Sequence, residues 1–160
     1  MRQSTPPGSA RNSATVLYAD EYVTLIADRD GCVVRVVRST TPHPSPKVME
    51  DSYMQVARAL DVYGRQGRCL LVDTRNVSGR NDPEYEAALR RSRDRIDAGL
   101  LRIAVLLRTA AGMLQLMRIS EEDGTVRMIT MDEQVAIAYL RHGTVPTEAR
   151  PPTGRNELKK

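Results

Sequence analysis

Short apolar runs alternate with stretches of helical spacing along most of this chain. The clearest run, residues 69–72, is followed by Asp73, Thr74 and Arg75 and then by a loop that contains a glycine. A short apolar run bounded by turn residues is typical of a strand that is covered on both faces of a sheet. Residues 101–107 repeat this pattern, and a last strand is expected at residues 125–130.

The chain before the first of these strands predicts a hairpin and a helix. Residues 22–27 and 32–38 are rich in Val, Ile and Leu, and an Asp-Arg-Asp-Gly segment joins them, which favours a β-hairpin. A further short strand is expected at residues 15–19. Helical spacing over residues 47–64 predicts an amphipathic helix. Its inner face is expected to hold Met49, Tyr53, Val56, Leu60 and Tyr63.

Three further helices are indicated by residues that favour helix starts. Asp82 is followed by a proline, which gives an N-cap with proline at the first helical position and predicts a helix through residue 98. Thr109 can begin a helix over residues 110–118, and the acidic residues 121–123 with Gly124 predict a turn after it. Thr130 and Glu133 have the spacing of a capping box, which predicts a final helix to about residue 141.

The alternation of strands and helices after a leading hairpin predicts an α/β fold. Parallel neighbouring strands need right-handed crossover helices, whereas hairpin strands are antiparallel, so a single mixed sheet is expected. The domain should span residues 14–142. Residues 1–13 are rich in Ser, Pro, Gly and Arg, and residues 143–160 hold three prolines and no apolar period, which predicts a disordered N-terminal tail and a flexible C-terminal tail.

Composition limits the class of protein. Hydrophobic residues make up 41 % of the chain, but Trp and Phe are absent, so the core must be aliphatic with a few tyrosines. The formal charge of +4 comes from arginines interleaved with acids, which is typical of a mixed solvated surface and not of a nucleic-acid-binding face. No apolar stretch suits a membrane span and the N-terminus has no secretory pattern, so a cytoplasmic protein is expected.

Few residues suggest catalysis or a bound cofactor. The sequence has no metal-ligand, nucleophile-elbow or phosphate-loop motif, so neither a metal nor a cofactor is expected. His43 lies in a proline-rich connector and should be exposed. The arginine cluster at residues 90–95 should form a solvated helix face. Cys32 and Cys69 are expected to be buried and reduced, with a disulfide or a reactive thiol as the alternative.

The residues around the first central strand resemble the STAS domain of bacterial anti-sigma-factor antagonists, a fold related to CRAL-TRIO lipid-binding domains. The resemblance rests on the buried strand that ends at Asp73, the polar loop with its apolar anchor Val77, and the helix start at Asp82; residues 103–109 also fit. It covers residues 14–142 and implies a regulatory module that binds a protein partner, such as a regulatory kinase or an anti-sigma-like factor. Arg-Asn-Asp-Pro replaces the family's Asp-Ser-Ser-Gly-type motif, so the usual phosphoacceptor is missing.

Polar residues at the ends of the two central strands predict a shared rim. The carboxyl ends of parallel strands meet at one edge of a sheet, where the following helices present N–H groups. The expected docking surface for a protein or an anionic group consists of Asp73, Thr74, Arg75, Ser78, Asp82, Arg108 and Thr109. A purely structural interpretation is also open, in which Asp73 pairs with Arg75 or Arg108, while Asp82 and Thr109 cap helices.

Three hypotheses about function follow. The first is a non-catalytic regulatory module that docks a protein partner through the rim and has a compact, filled core. The second is a carrier of a small molecule or lipid, which requires a cavity, although the short aliphatic chain suggests little spare volume. The third is an enzyme that uses Asp73, which requires an enclosed pocket and a raised pKa for that carboxyl group. Fold alone does not decide among them.

Overall fold

The computed structural model of the chain describes residues 13–144. The predicted tails lie almost entirely outside these residues. In chain order the elements are β1 (Thr15–Ala19), β2 (Val23–Ala27), β3 (Val33–Arg38), α1 (Pro46–Tyr63), β4 (Cys69–Asp73), α2 (Pro83–Asp97), β5 (Ile103–Leu106), α3 (Ala110–Asp123), β6 (Met128–Thr130) and α4 (Glu133–His142).

The strands form one mixed sheet in which their spatial order follows their order in the chain. The first three strands are antiparallel neighbours, and β3 to β6 pair in parallel. The turn between β2 and β3 places Gly31 at a φ of 69°, a conformation that only glycine adopts without strain. The predicted α/β fold with a leading hairpin is therefore confirmed.

The helices divide between the two faces as the strand order requires. Each of α1, α2 and α3 connects a strand to its next parallel neighbour, and right-handed crossovers in one direction put all three on one face. There α1 packs along α2, and both cover the inner side chains of the sheet, among them Val34, Val36 and Leu70. The other face is covered by α4, whose Ala136 and Leu140 pack among the side chains of β3, β4 and β5.

The third helix differs from its prediction in length and in packing. It continues to Asp123 and ends at Gly124, which has a φ of 64° and satisfies the last carbonyls. The predicted strand at residues 125–130 is only three residues long in the structure, because only residues 128–130 pair with β5. Among the described elements α3 packs closely only against β6. It packs closely along neither α2 nor the central strands, although the ion pair between Arg90 and Asp123, 3.0 Å apart, joins its last residue to α2.

Two local predictions are wrong. Cys32 is exposed because it lies in the hairpin turn before β3 begins, whereas Cys69 is buried as expected. The N-cap of α4 is Asp132 and not Thr130, since the Asp132 carboxylate accepts hydrogen bonds from the backbone N–H groups of Gln134 and Val135. Across residues 13–144, no helix combines the length and apolar character needed to cross a membrane.

Candidate functional site

Asp73 and Arg75, at the end of β4, satisfy each other. The Arg75 guanidinium donates two hydrogen bonds to the Asp73 carboxylate, with nitrogen–oxygen distances of 2.6 and 2.9 Å, and its backbone N–H donates a third at 3.1 Å. Arg75 also pairs with Glu133 at the start of α4, 2.9 Å away. Asp73 therefore pairs with Arg75, as the purely structural interpretation of these residues predicted.

The electrostatics of Asp73 do not suit a general acid, which needs a protonated carboxyl group. Burial by itself raises the pKa of Asp73, but the hydrogen bonds from Arg75 outweigh it, so the pKa of this carboxyl lies below its ordinary value. Asp73 also does not line the cavity that lies between the sheet, α2 and α3. The enclosed pocket and raised pKa that an Asp73 enzyme requires are therefore not found at this residue.

Three other predicted rim residues bond to the backbone around them. The Thr74 hydroxyl donates to the carbonyl of Leu106, 2.8 Å away. Asp82 caps α2 by accepting hydrogen bonds from the backbone N–H groups of its first turn. Thr109 caps α3 by accepting from the N–H of Gly112, 3.1 Å away. Helix capping accounts for Asp82 and Thr109 without any ligand.

The remaining two, Ser78 and Arg108, are exposed. No hydrogen bond or ion pair to Arg108 is formed by the described part of the chain. Together with Thr74 and Thr109 these residues line a cavity at the carboxyl ends of β4 and β5, whereas Asp73, Arg75 and Asp82 do not. The structure thus brings together four of the seven predicted site residues at the edge of one space.

This cavity has a volume of about 620 Å³ and lies between the sheet, α2 and α3. Its position follows from the fold, because α3 packs against β6 and does not close over Val72 and Val105, inner side chains near the ends of β4 and β5. Its walls are mostly aliphatic and come from all three layers: Val36, Val72, Ile103, Val105, Leu89, Ile96, Leu116 and Ile119. The expectation of little spare volume was therefore wrong.

One group of polar side chains lies at the end of β3. Arg38 is only 4 % exposed, and its guanidinium donates to the hydroxyl of Tyr53 at 3.0 Å and to the carbonyl of Tyr22 at 3.3 Å. His43 is 1 % exposed, stacks on Tyr22 with ring centroids 4.6 Å apart, and places Nδ1 3.3 Å from the hydroxyl of Tyr85. The prediction that His43 is exposed was wrong.

Burial also fixes the protonation state of this histidine. Desolvation is the largest influence on His43, the positive charge of Arg38 acts in the same direction, and together they lower its pKa to about 4. The imidazole is therefore neutral near pH 7. Two nitrogens of the group, Arg38 Nη2 and His43 Nε2, are buried and have no hydrogen-bond partner within residues 13–144.

A second polar group lies further along α2. The Arg127 guanidinium donates to the Asp97 carboxylate, with Nε 2.9 Å from the oxygen, and both side chains are largely buried. Burial raises the pKa of Asp97 more than Arg127 lowers it. Arg93 lies nearby with Nε and Nη1 buried and without a partner within the described chain; burial and then the charge of Arg127 lower its pKa.

Arg38, Arg93 and Asp97 were not among the predicted site residues, and the arginine cluster of α2 is not uniformly solvated. The sequence does contain a signal for the two arginines. Arg38 continues the alternation of Val34 and Val36 on the inner face of β3. Arg93 follows Leu89 by four residues and precedes Ile96 by three, which places it on the inner face of the helix. In both elements an arginine occupies a position where the sequence pattern calls for an apolar residue, and this indicates a buried charge.

The charged groups at this cavity are mostly cationic. Across residues 13–144 no three His, Cys, Asp or Glu side chains converge closely enough to hold a metal ion. Five arginines but only two carboxylates line the cavity.

Comparison of the chain with protein-family models, curated proteins and solved structures gave no match.

Proposed function

We propose that this protein is a binding module that holds a small, mainly apolar molecule in the cavity between the sheet, α2 and α3. The observation that carries the proposal is the cavity itself, with its volume of about 620 Å³ and aliphatic walls. Pockets for small ligands have volumes of roughly 300–1,000 Å³ and mostly apolar linings with a few polar groups. Among the three hypotheses drawn from the sequence, the carrier of a small molecule is the one that requires such a space.

Packing energetics support an apolar ligand. Protein interiors are normally close-packed, and side chains that border a large space lose dispersion contacts on that side. Here the inner side chains Val72 and Val105 of the central strands border the cavity and not a helix. A ligand with an apolar body would restore contacts to these side chains and to Leu116 of α3.

The place of entry is suggested by the polar edge of the cavity. Thr74 and Ser78 lie on one side of it, in the segment that follows β4, and Arg108 and Thr109 lie on the other, before α3. Ser78, Arg108 and Thr109 are exposed, so solvent reaches this end. We infer that ligands enter between the segment after β4 and the start of α3.

The proposal is tested by filling the cavity. Binding of the uncharged fluorescent dye N-phenyl-1-naphthylamine would be measured for the wild type and for Val105→Phe, as would binding of molecules extracted from the purified protein. The matched control is Val62→Phe, because Val62 is 91 % exposed on α1 and outside the cavity. Val105→Phe should abolish binding and Val62→Phe should not.

A second filling variant, Leu89→Phe on α2, keeps the test decisive if Val105→Phe does not fold. Melting temperatures would be recorded for every variant to separate loss of the site from loss of the fold. A wild-type protein that binds no dye and carries no extractable molecule would contradict the proposal. Binding that survives both filling variants in folded protein would also contradict it.

A second proposal is that the exposed edge around the cavity docks a protein partner, as the resemblance to STAS domains implies. The order of a leading hairpin and strand–helix units supports this resemblance. Arg108 favours it most, because it is exposed and forms no ion pair with the described residues, so an acidic partner could bind it. Affinity purification with wild type, Arg108→Glu and the surface control Arg118→Glu would test it. A partner lost only in Arg108→Glu is expected; equal capture by all three would contradict it.

A further inference from the structure

We propose that the ligand of the cavity carries a carboxylate group, and that Arg93 and Arg38 bind it. This inference rests on the proposed function of the cavity and specifies the chemical class of its ligand: a monoanionic acid with an apolar body. The two arginines are contributed by α2 and β3, and both line the cavity.

The first observation is the incomplete hydrogen bonding of Arg93. Its Nε and Nη1 atoms are buried, and neither has a partner within residues 13–144. Asp97, one turn further along the same helix, is occupied by Arg127. Asp97 and Asp123 lie close enough for their charges to act on Arg93, but neither accepts a hydrogen bond from its buried Nε or Nη1. Buried donors without an acceptor are unfavourable, and native proteins pair such groups with acids or ligands. These two donors therefore need an acceptor that the described chain does not supply.

The second observation is the orientation of Arg38. Two of its nitrogens donate to Tyr22 and Tyr53, while Nη2 remains buried without a partner in the described chain. The whole Arg38 side chain is buried. The hydrogen bonds to Tyr22 and Tyr53 fix the guanidinium, so Nη2 is held in place beside the cavity that Arg38 lines.

The balance of charge in the cavity agrees with these two residues. The lining contains five arginines and two carboxylates, and His43 beside Arg38 is neutral near pH 7. Arg127 and Arg93 repel each other, and an anion would relieve this repulsion. The planar fork of a guanidinium matches the two oxygens of a carboxylate, and such charge-assisted hydrogen bonds are strong in a site of low dielectric constant.

The apolar walls define the rest of the ligand. Aliphatic side chains of the sheet and of α3, such as Val105 and Leu116, surround the space beside the arginines, so a small inorganic anion would leave these walls without contacts. A fatty acid and an aromatic acid share the required chemistry, a carboxylate on an apolar body. Octanoate and 2-naphthoate would represent these two sources.

Isothermal titration calorimetry with octanoate and with 1-octanol tests the proposal, because the two molecules differ in charge and share the alkyl chain. Wild-type protein should prefer octanoate, and Arg93→Met should weaken octanoate by roughly tenfold to a hundredfold, the factor that one charge-assisted hydrogen bond supplies. Binding of 1-octanol should not weaken. Arg95→Met is the matched control, since Arg95 is an exposed arginine of the same helix outside the cavity.

The outcomes separate this inference from the proposed function. Equal binding of octanoate and 1-octanol by the wild type would overturn the carboxylate assignment and leave a cavity that binds apolar molecules. An octanoate preference unchanged in Arg93→Met and in Arg38→Met would overturn the assigned residues. Failure of the wild type to bind octanoate, 2-naphthoate and 1-octanol would refute both proposals. Arg93→Lys, which keeps the charge but not the fork, serves as a second variant if Arg93→Met does not fold, and should also weaken octanoate.

Discussion

Acidification from pH 7 to pH 5 should destabilise this protein through His43. The imidazole is buried against Tyr22 and beside Arg38, and its pKa in the folded chain is lowered to about 4, chiefly by desolvation and then by the charge of Arg38. In the unfolded chain the same group titrates near its ordinary value of 6.5. Protons therefore bind preferentially to the unfolded state, and the contribution of neutral His43 is lost as the pH falls from 6.5 towards 4.

The size of the effect follows from the two pKa values. The full difference between 6.5 and about 4 corresponds to roughly 3 kcal/mol, at about 1.4 kcal/mol per pH unit. At pH 5 the unfolded histidine is almost fully protonated and the folded one is mostly neutral. About 2 kcal/mol of the free energy of unfolding should therefore be lost between pH 7 and pH 5, before most carboxylates begin to titrate.

The assay is urea unfolding followed by circular dichroism at pH 7, 6 and 5. His43→Gln should remove most of the pH dependence in this window. His142→Gln is the matched control, because His142 is the second of the chain's two histidines and is exposed. A wild-type free energy of unfolding that changes by less than about 0.5 kcal/mol, or an equal slope in His43→Gln, would refute the assigned burial of His43.

Further stability predictions concern single side chains, each measured by urea unfolding at pH 7. Arg93→Met should stabilise the ligand-free protein by about 1–2 kcal/mol because it removes two buried hydrogen-bond donors that have no acceptor in the described chain; an unchanged or lower value would contradict this. Asp82→Ala should cost about 1 kcal/mol through loss of the α2 N-cap, and no loss would show that the cap is dispensable. Gly31→Ala should cost about 1–2 kcal/mol or more, since φ is 69° and the added Cβ would lie 2.9 Å from Tyr63 Oη; a smaller cost would mean that this turn relaxes.

The fold was largely predictable because its signals are local. Short apolar runs bounded by turn residues gave the central strands, and Asp82 with the following proline located the start of α2. Strand order then followed from connectivity, since neighbouring parallel strands need crossover helices. The end of α3 was missed because its acidic residues were interpreted as a turn, whereas the helix continues until Gly124 adopts a positive φ.

The site was less predictable because it depends on contacts between distant segments. The topology does bring the ends of β4 and β5 together, and Thr74 and Thr109 line the same cavity. The burial of His43, however, arises from Tyr22 and Tyr85, which are remote in sequence. Arg93 was assigned to a solvated cluster by its charge, although its spacing from Leu89 placed it on the inner face. Periodicity was a better guide than polarity at this position.

The cavity itself could not be deduced from composition. Its volume depends on how far α3 stands from the sheet, and this distance is set by packing against β6. In the sequence, the apolar residues of α3 look the same as those of a helix that packs directly against a sheet. Only the three-dimensional arrangement shows that they border a space shared with Val105 and Leu89.

Nuclear magnetic resonance of the arginine side chains would test the proposed ligand site most directly. In protein labelled with nitrogen-15, the Nε–H signal of Arg93 can be assigned by its loss in Arg93→Met and followed during titration with octanoate. We expect this signal to shift strongly and saturate with octanoate and to shift much less with 1-octanol, because the carboxylate accepts a charge-assisted hydrogen bond from the buried Nε–H, whereas the neutral hydroxyl accepts a weaker one. An Arg93 signal that is unaffected while methyl signals of Val105 and Leu116 respond to octanoate would show that the ligand occupies the cavity without using this arginine.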